Sequence, residues 1–203
     1  MAKNIVRYDM LVSAPVRAIV SSTNAGPVQV TSGAAHGLST GDYVKIIGHL
    51  VNTAANGTWK ITVNGANTFT LDGSTGNGVG VATGTWSLSA KALDVTDFTS
   101  VVLAFDTDGG GDAAMTVKVA GSIAEGIPDF AKAQSVSNQY DFVDVIDLQN
   151  GTEIPGDTGF VVATADDHRM FEVNTNGLKW LTVIATAGTQ GELTVRAALF
   201  STL

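Results

Sequence analysis

The chain has 203 residues, 19 acidic against 11 basic side chains, a formal charge of −8 and no cysteine, which excludes a disulfide framework, a thiolate zinc site and a thiol nucleophile. Its cations stand singly, against a nucleic-acid groove, and no apolar stretch approaches the roughly 18–20 residues that span a bilayer. Lys3, Arg7, Asp9 and Arg17 also break the N-terminal apolar residues, so no secretory segment is expected.

Glycine is frequent, proline scarce and charge sparse, the balance of a β protein with many short connections. Asn4 to Val12 reads as the first strand. Within Val30 to Trp86 the period is two: Val44 and Ile46 alternate with Lys45, Trp59, Ile61 and Val63 with Lys60 and Thr62, and Phe69 and Leu71 with Thr68 and Thr70. Asn56-Gly57, Asn64-Gly65 and Asn77-Gly78 fall between or beside these runs, where a two-residue hairpin turn takes positive φ at both central residues. The spacing predicts a small β-barrel over residues 18–86, inserted into a body made of 1–17 plus 87–203. Tyr43 alternates outward from Val44 and Ile46, and His36 is expected at a turn before Leu38 to Asp42.

Beyond the module, strands are predicted around Leu88, at Val101 to Phe105, Met115 to Ala120, Phe142 to Leu148, Phe160 to Ala163, Met170 to Val173, Leu178 to Ala185 and Leu193 to Phe200. With the first strand this makes about eight or nine, the number of a jelly-roll-like β-sandwich. Pro128 to Gln134 offers one helical turn, and Asn150-Gly151 and Asn176-Gly177 offer corners. Leu178 to Ala185 is apolar on both sides, so it is expected to be central or covered by a neighbouring subunit.

Asp106, Asp108 and Asp112 in the run DTDGGGD are the candidate calcium ligands, because carboxylates around glycines can wrap oxygens about a hard cation. A polar hairpin tip between the Phe105 and Met115 strands accounts for the same residues. His36, His49 and His168 are far apart in sequence, without transition-metal spacing. His168 beside Asp166 and Asp167 lacks a Gly-x-Ser-x-Gly nucleophile elbow, and a solvated loop is expected there. Glu125, Asp129, Glu153 and Asp157 supply carboxylates, but no spacing selects a glycosidase pair. No catalytic or cofactor-binding residue is therefore assigned. Tyr8, Tyr43 and Trp180 are the candidate partner-binding aromatics.

The runs His36-Gly37-Leu38-Ser39-Thr40-Gly41-Asp42-Tyr43-Val44, Asn56-Gly57-Thr58-Trp59-Lys60-Ile61-Thr62-Val63 and Asn67-Thr68-Phe69-Thr70-Leu71-Asp72-Gly73 together resemble a small module recurrent in tailed-bacteriophage structural proteins. That module is similar in fold to the half-domain beside the first catalytic cysteine region of ubiquitin-activating enzymes; without cysteine or a nucleotide-binding motif, no ubiquitin chemistry follows here. Phe171 to Trp180 with Gly188 to Phe200 resembles the final hairpin of phage virion sandwich proteins. The resemblance implies a non-enzymatic virion component, assembled in the host cytoplasm. The leading expectation is a capsid decoration or cement protein, a homotrimer that bridges copies of the major capsid protein through Ala2 to Val12 and the Trp180 strand. Two alternatives stay open: a tail-fibre or baseplate part that binds host-surface glycan through the barrel, and a tail or neck assembly factor.

Overall fold

The computed structural model describes residues 3–12, 17–108, 115–130, 132–162, 167–185 and 192–202, and their side chains except those of 3–12, 108, 115, 136, 192 and 202. The protein is all-β, with short 3-10 turns at Thr53–Ala55 and Val136–Asn138. Its chain divides into two compact units, Ala14–Ala90 and Met1–Ser13 with Lys91–Leu203.

Strand β1 (Lys3–Val12) belongs to the larger unit and precedes the six strands of the smaller one: β2 (Arg17–Ser22), β3 (Val28–Ser32), β4 (Tyr43–Ile47), β5 (Gly57–Gly65), β6 (Thr68–Leu71) and β7 (Thr85–Ala90). These six close into a barrel in the order β2-β3-β6-β5-β4-β7. The predicted alternation supplies its inside: Val28, Val30, Val44, Ile46, Ile61, Phe69 and Leu71 are buried with Ile19 and Trp86 in one cluster. Closure removes the unpaired edges that an open sheet of this size would present.

The barrel outruns the expected 18–86 at both ends. Arg17 pairs with Trp86 in the ladder that closes it, and Tyr43 pairs with Ala90. Leu88, expected in the body, stands opposite Val44. Asn64-Gly65 is not a turn: β5 runs through it with a bulge between Val63 and Gly65, and the corner is Ala66-Asn67. A Cβ on Gly65 would stand 3.0 Å from Thr68 Oγ1, so glycine here permits close approach. At Asn56-Gly57 the glycine has φ of 126° while Asn56 has −67°. The Asn56 amide instead ties the loop, accepting from His49 N–H at 2.8 Å and donating to His49 C=O at 2.9 Å.

The larger unit continues with β8 (Leu93–Asp94), β9 (Ser100–Asp108), β10 (Met115–Ser122), β11 (Asp141–Phe142), β12 (Val145–Asp147), β13 (Glu153–Ile154), β14 (Phe160–Val162), β15 (His168–Asn174), β16 (Trp180–Ala185) and β17 (Glu192–Thr202). One antiparallel sheet runs β1-β17-β9-β15-β12-β13. The other runs β11-β10-β16-β8, and β14 also pairs with β10. Both contribute to one apolar cluster: Leu103, Phe105, Phe171, Val195 and Leu199 from the first, Leu93, Val117, Val119, Phe160, Leu181 and Val183 from the second. Strand β16, apolar on both faces, lies between β10 and β8; its buried Thr182 donates its hydroxyl to Lys91 C=O at 3.0 Å.

Three expectations change here. Phe142 to Leu148 is two strands, because Val143 N–H still bonds to Val119 C=O in one sheet while Val145 already pairs with Ile154 in the other. The Asp144 carboxylate marks the crossing by accepting Gly156 N–H at 2.8 Å. A helical turn falls at Val136–Asn138, and among the described residues of Pro128 to Gln134 there is none. Strands β9 and β10 lie in different sheets and do not pair as the two arms of a hairpin, and residues 109–114 between them lie outside the described residues.

Asp147 ends β12 almost without exposure, at 1%. Burial pushes its carboxyl up, but the Gln149 N–H at 2.8 Å and the Arg169 guanidinium at 2.6 Å outweigh burial and hold it below the ordinary carboxylate range. A depressed folded-state pKa contributes stability above the unfolded value that is lost as pH falls through the folded one. Denaturant titrations of the wild type are expected to show this loss beginning below about pH 4. Asp147→Asn is expected to cost about 2 kcal/mol at neutral pH, the worth of a hydrogen bond to a charged group, and to flatten that part of the acid dependence.

Candidate interaction surfaces

Tyr43 is corrected by the structure. It is 1% exposed, and the cause is a register shift between Tyr43 and Val44 in the β4–β7 ladder, which breaks the alternation and buries two successive side chains. Tyr43 therefore offers no ring to a partner. Trp180 is half-buried and donates its indole N–H to Ala124 C=O at 3.0 Å, beside the Ser122 ladder position. Tyr8 stands opposite Ala198 in the β1–β17 register, and its side chain lies outside the described residues.

Of the three candidate calcium ligands, only the Asp106 side chain is described. Its two oxygens take Arg196 Nη1 and His168 Nδ1, each at 2.6 Å, from the two strands that flank β9. Asp108 stands opposite Glu192 in the ladder, and its side chain, like all of Asp112, lies outside the described residues. Among the described residues no three His, Cys, Asp or Glu side chains cluster as metal ligands would. His168, expected in a solvated loop near Asp166 and Asp167, opens β15 instead.

The other two histidines are buried in the barrel. His36 Nδ1 accepts Leu38 N–H at 3.0 Å, so the proton sits on Nε2, which donates to Gly65 C=O at 2.8 Å. Its ring meets Phe69 and Trp86 edge-on. His49, with no exposure, donates from Nδ1 to Thr83 C=O at 2.7 Å, and Nε2 therefore accepts the Ser22 hydroxyl at 2.8 Å. This Ser–His pair has a backbone carbonyl in place of an orienting carboxylate, and Ser22 is itself 3% exposed. Gly80 covers it: a Cβ there would stand 2.2 Å from His49 Nε2. The arrangement ties two loops together beneath the surface and gives no substrate access to the hydroxyl.

In the larger unit, a cleft of about 550 Å³ opens between the Ser122 end of β10 and residues 134–141, lined by Ile123, Val143 and Leu178 with Gln134, Gln139 and Asp141. Tyr140 forms part of its wall. Burial, and then the Asp129 carboxylate, raise its phenol pKa, and the hydroxyl donates to Lys132 C=O at 2.6 Å. Ile123, at 76% exposure, stands at the cleft. The chain matches no family model, no curated protein and no solved structure.

The described surface with the greatest run of exposed aliphatics belongs to the barrel. Ile47 ends β4, Leu50 and Val51 sit on the loop after it, Val79 and Val81 on the segment before β7, and Val20 on β2, all 47–67% exposed. Leu50 N–H donates to Thr83 Oγ1 at 3.0 Å, and Ser22 and Gly80 exchange backbone bonds at 3.0 and 3.3 Å, so the three segments lie side by side. Sequence reasoning gave these residues no role, because they are scattered over three segments far apart in the chain. The available signal was charge: no Asp, Glu, Lys or Arg occurs over 46–59 or over 73–90.

Proposed function

We propose that this chain is a non-enzymatic virion structural protein of a tailed bacteriophage, a capsid decoration or cement protein whose larger unit is a jelly-roll sandwich with the barrel inserted after its first strand. The strand order carries the reading. Among β1, β8, β9, β10, β14, β15, β16 and β17, taken as eight successive strands, one sheet places the first beside the last, then the third and the sixth; the other holds the second, seventh, fourth and fifth. That is the order of two Greek keys rolled into a jelly roll, an architecture of viral capsid domains among others. Jelly rolls serve many functions, and the resemblance of His36 to Gly73 to phage modules is what selects a virion part.

The work of such a protein is mechanical. It adds buried contact area between capsid subunits, and several modest contacts on one oligomer, here a homotrimer, make attachment long-lived. Its partners are the major capsid protein and copies of itself. The glycan-binding alternative leaned on Tyr43 as an exposed stacking ring; with Tyr43 buried, no observation favours it.

Heads of the encoding phage, depleted of this protein, supply the test. Purified chain is expected to cosediment with them and to raise the temperature at which they disrupt. Heads that neither bind the chain nor gain heat resistance would overturn the proposal.

A further inference from the structure

We propose that the uncharged end of the barrel is a self-association surface, where a second copy of this chain docks apolar patch against apolar patch. The inference rests on the adhesive reading above and names a contact between neighbouring oligomers, apart from the seam of the homotrimer itself. Val20, Ile47, Leu50, Val51, Val79 and Val81 expose 47–67% of their area. They sit on segments whose polar groups are spent on one another. Beneath them Asn52 donates to Ser22 Oγ at 2.9 Å and to Thr23 C=O at 3.0 Å and accepts Asn77 N–H at 3.1 Å, beside the buried Ser22–His49 pair. A Cβ on Gly78 would stand 2.8 Å from Val51 O, and one on Gly84 2.5 Å from His49 N. The backbones are pressed together, so the valines and leucine are held outward by the fold.

Val51 adds an independent observation. Its φ is 68°, in the left-handed region that a β-branched residue occupies only under strain, yet its side chain is 56% exposed. Glycine would hold the same turn without that cost. A strained residue whose side chain gains little burial inside its own chain is explained when a partner covers it.

Charge selects the partner. The chain carries −8, so copies repel one another at long range. The barrel end lies on stretches without Asp, Glu, Lys or Arg, and its one ionisable ring, His49, is buried. An isologous contact sets a patch on its own copy. A neutral patch meets that condition with no complementary charge, whereas a basic partner finds no acidic group here. Six half-exposed aliphatic side chains supply on the order of 400–500 Å² per copy, short of the ~800 Å² per partner of a stable dimer. The contact is therefore weak in dilute solution, and it persists where a scaffold holds copies side by side.

Sedimentation of the full chain from about 1 µM to about 1 mM, at low and high salt, tests this. The expected result is concentration-dependent association that strengthens with salt, because screening removes the repulsion while apolar contact remains. Combining Leu50→Lys with Val79→Lys lowers the net negative charge, which would favour association by repulsion alone, yet it is expected to weaken association at least tenfold. Val51→Gly is expected to raise the thermal midpoint while weakening association. Ile123→Lys, an equally drastic change at an exposed aliphatic of the larger unit, is expected to leave association unchanged. Sedimentation that stays independent of concentration throughout, or a double variant that associates like wild type, would overturn the inference. Head binding by a chain whose sedimentation never changes with concentration would sink this inference alone, and self-association without head binding would sink the virion reading alone.

Discussion

Trp86→Ala is expected to unfold the barrel while the two sheets of the larger unit stay folded. Trp86 is 2% exposed, meets Phe69 edge-on with ring centroids 5.4 Å apart, and donates its indole N–H to Ser32 Oγ at 3.1 Å. The Arg17 guanidinium lies over the ring at 5.7 Å, and Arg17 is also its partner in the ladder that closes the barrel. Truncating a buried tryptophan costs about 3–5 kcal/mol in lost transfer energy and residual cavity. A unit of this size holds only about 4–11 kcal/mol in total. The loss therefore removes most of the barrel's stability, and it leaves Ser32 without its donor. The core of the larger unit contains no barrel residue. Hydrogen exchange is the direct measurement: amides of β4 and β5 should lose protection while those around Leu103 and Val195 keep it. Uniform loss of protection across both units would contradict the separation. Trp86→Phe, which keeps one aromatic ring but drops the Ser32 bond and leaves a smaller void, should cost less than the alanine change and leave the barrel folded.

Phe171→Ala is expected to produce the complementary effect. Phe171 has no exposure and stacks on Phe160 with centroids 3.9 Å apart, while Phe105 meets both rings edge-on at 5.5 and 5.0 Å. These rings come from β15, β14 and β9, so one side chain joins the two sheets. The Arg169 guanidinium caps the ring at 4.9 Å while holding Asp147. The expected cost is again about 3–5 kcal/mol, now with loss of protection at Val117 and Val183 and retention in the barrel. Phe171→Leu should recover more than half of that cost, because it restores apolar volume without the aromatic geometry. If Phe171→Ala proved as mild as a surface change, the shared core between the sheets would be refuted.

Where apolar residues alternate without interruption, their sequence was enough. Val101, Leu103 and Phe105 are buried against half-exposed Val102, Ala104 and Asp106, and Leu193, Val195, Ala197 and Leu199 line the inside of β17 as their spacing predicts. Gly151 and Gly177 take φ of 72° and 83° at the predicted corners. Alternation misled where a bulge inserts an extra residue. Tyr43 turned inward for that reason, and Asn64-Gly65 became a strand irregularity in place of a turn. Crossing points were equally hidden: the passage from one sheet to the other after Phe142 depends on a hydrogen bond from Gly156 to Asp144, twelve residues away.

The candidate sites were less legible than the strands because they depend on partners distant in sequence. Asp106 looked like a cation ligand beside Asp108, but antiparallel pairing brings Arg196 and His168 to its oxygens from strands 90 and 62 residues away. Likewise the barrel end is assembled from three segments, and only their hydrogen-bonded juxtaposition turns scattered valines into a patch.

By itself the sequence determined that the chain is all-β, that glycine corners punctuate short strands, and where the apolar face of each uninterrupted strand lies, because side-chain period and turn chemistry act over a few residues. The tertiary structure alone decided which strands pair, where bulges reverse a face, and which carboxylates are already neutralised by cations. Those outcomes depend on register between segments far apart in the chain, and shifting a ladder by one residue moves every side chain to the opposite face.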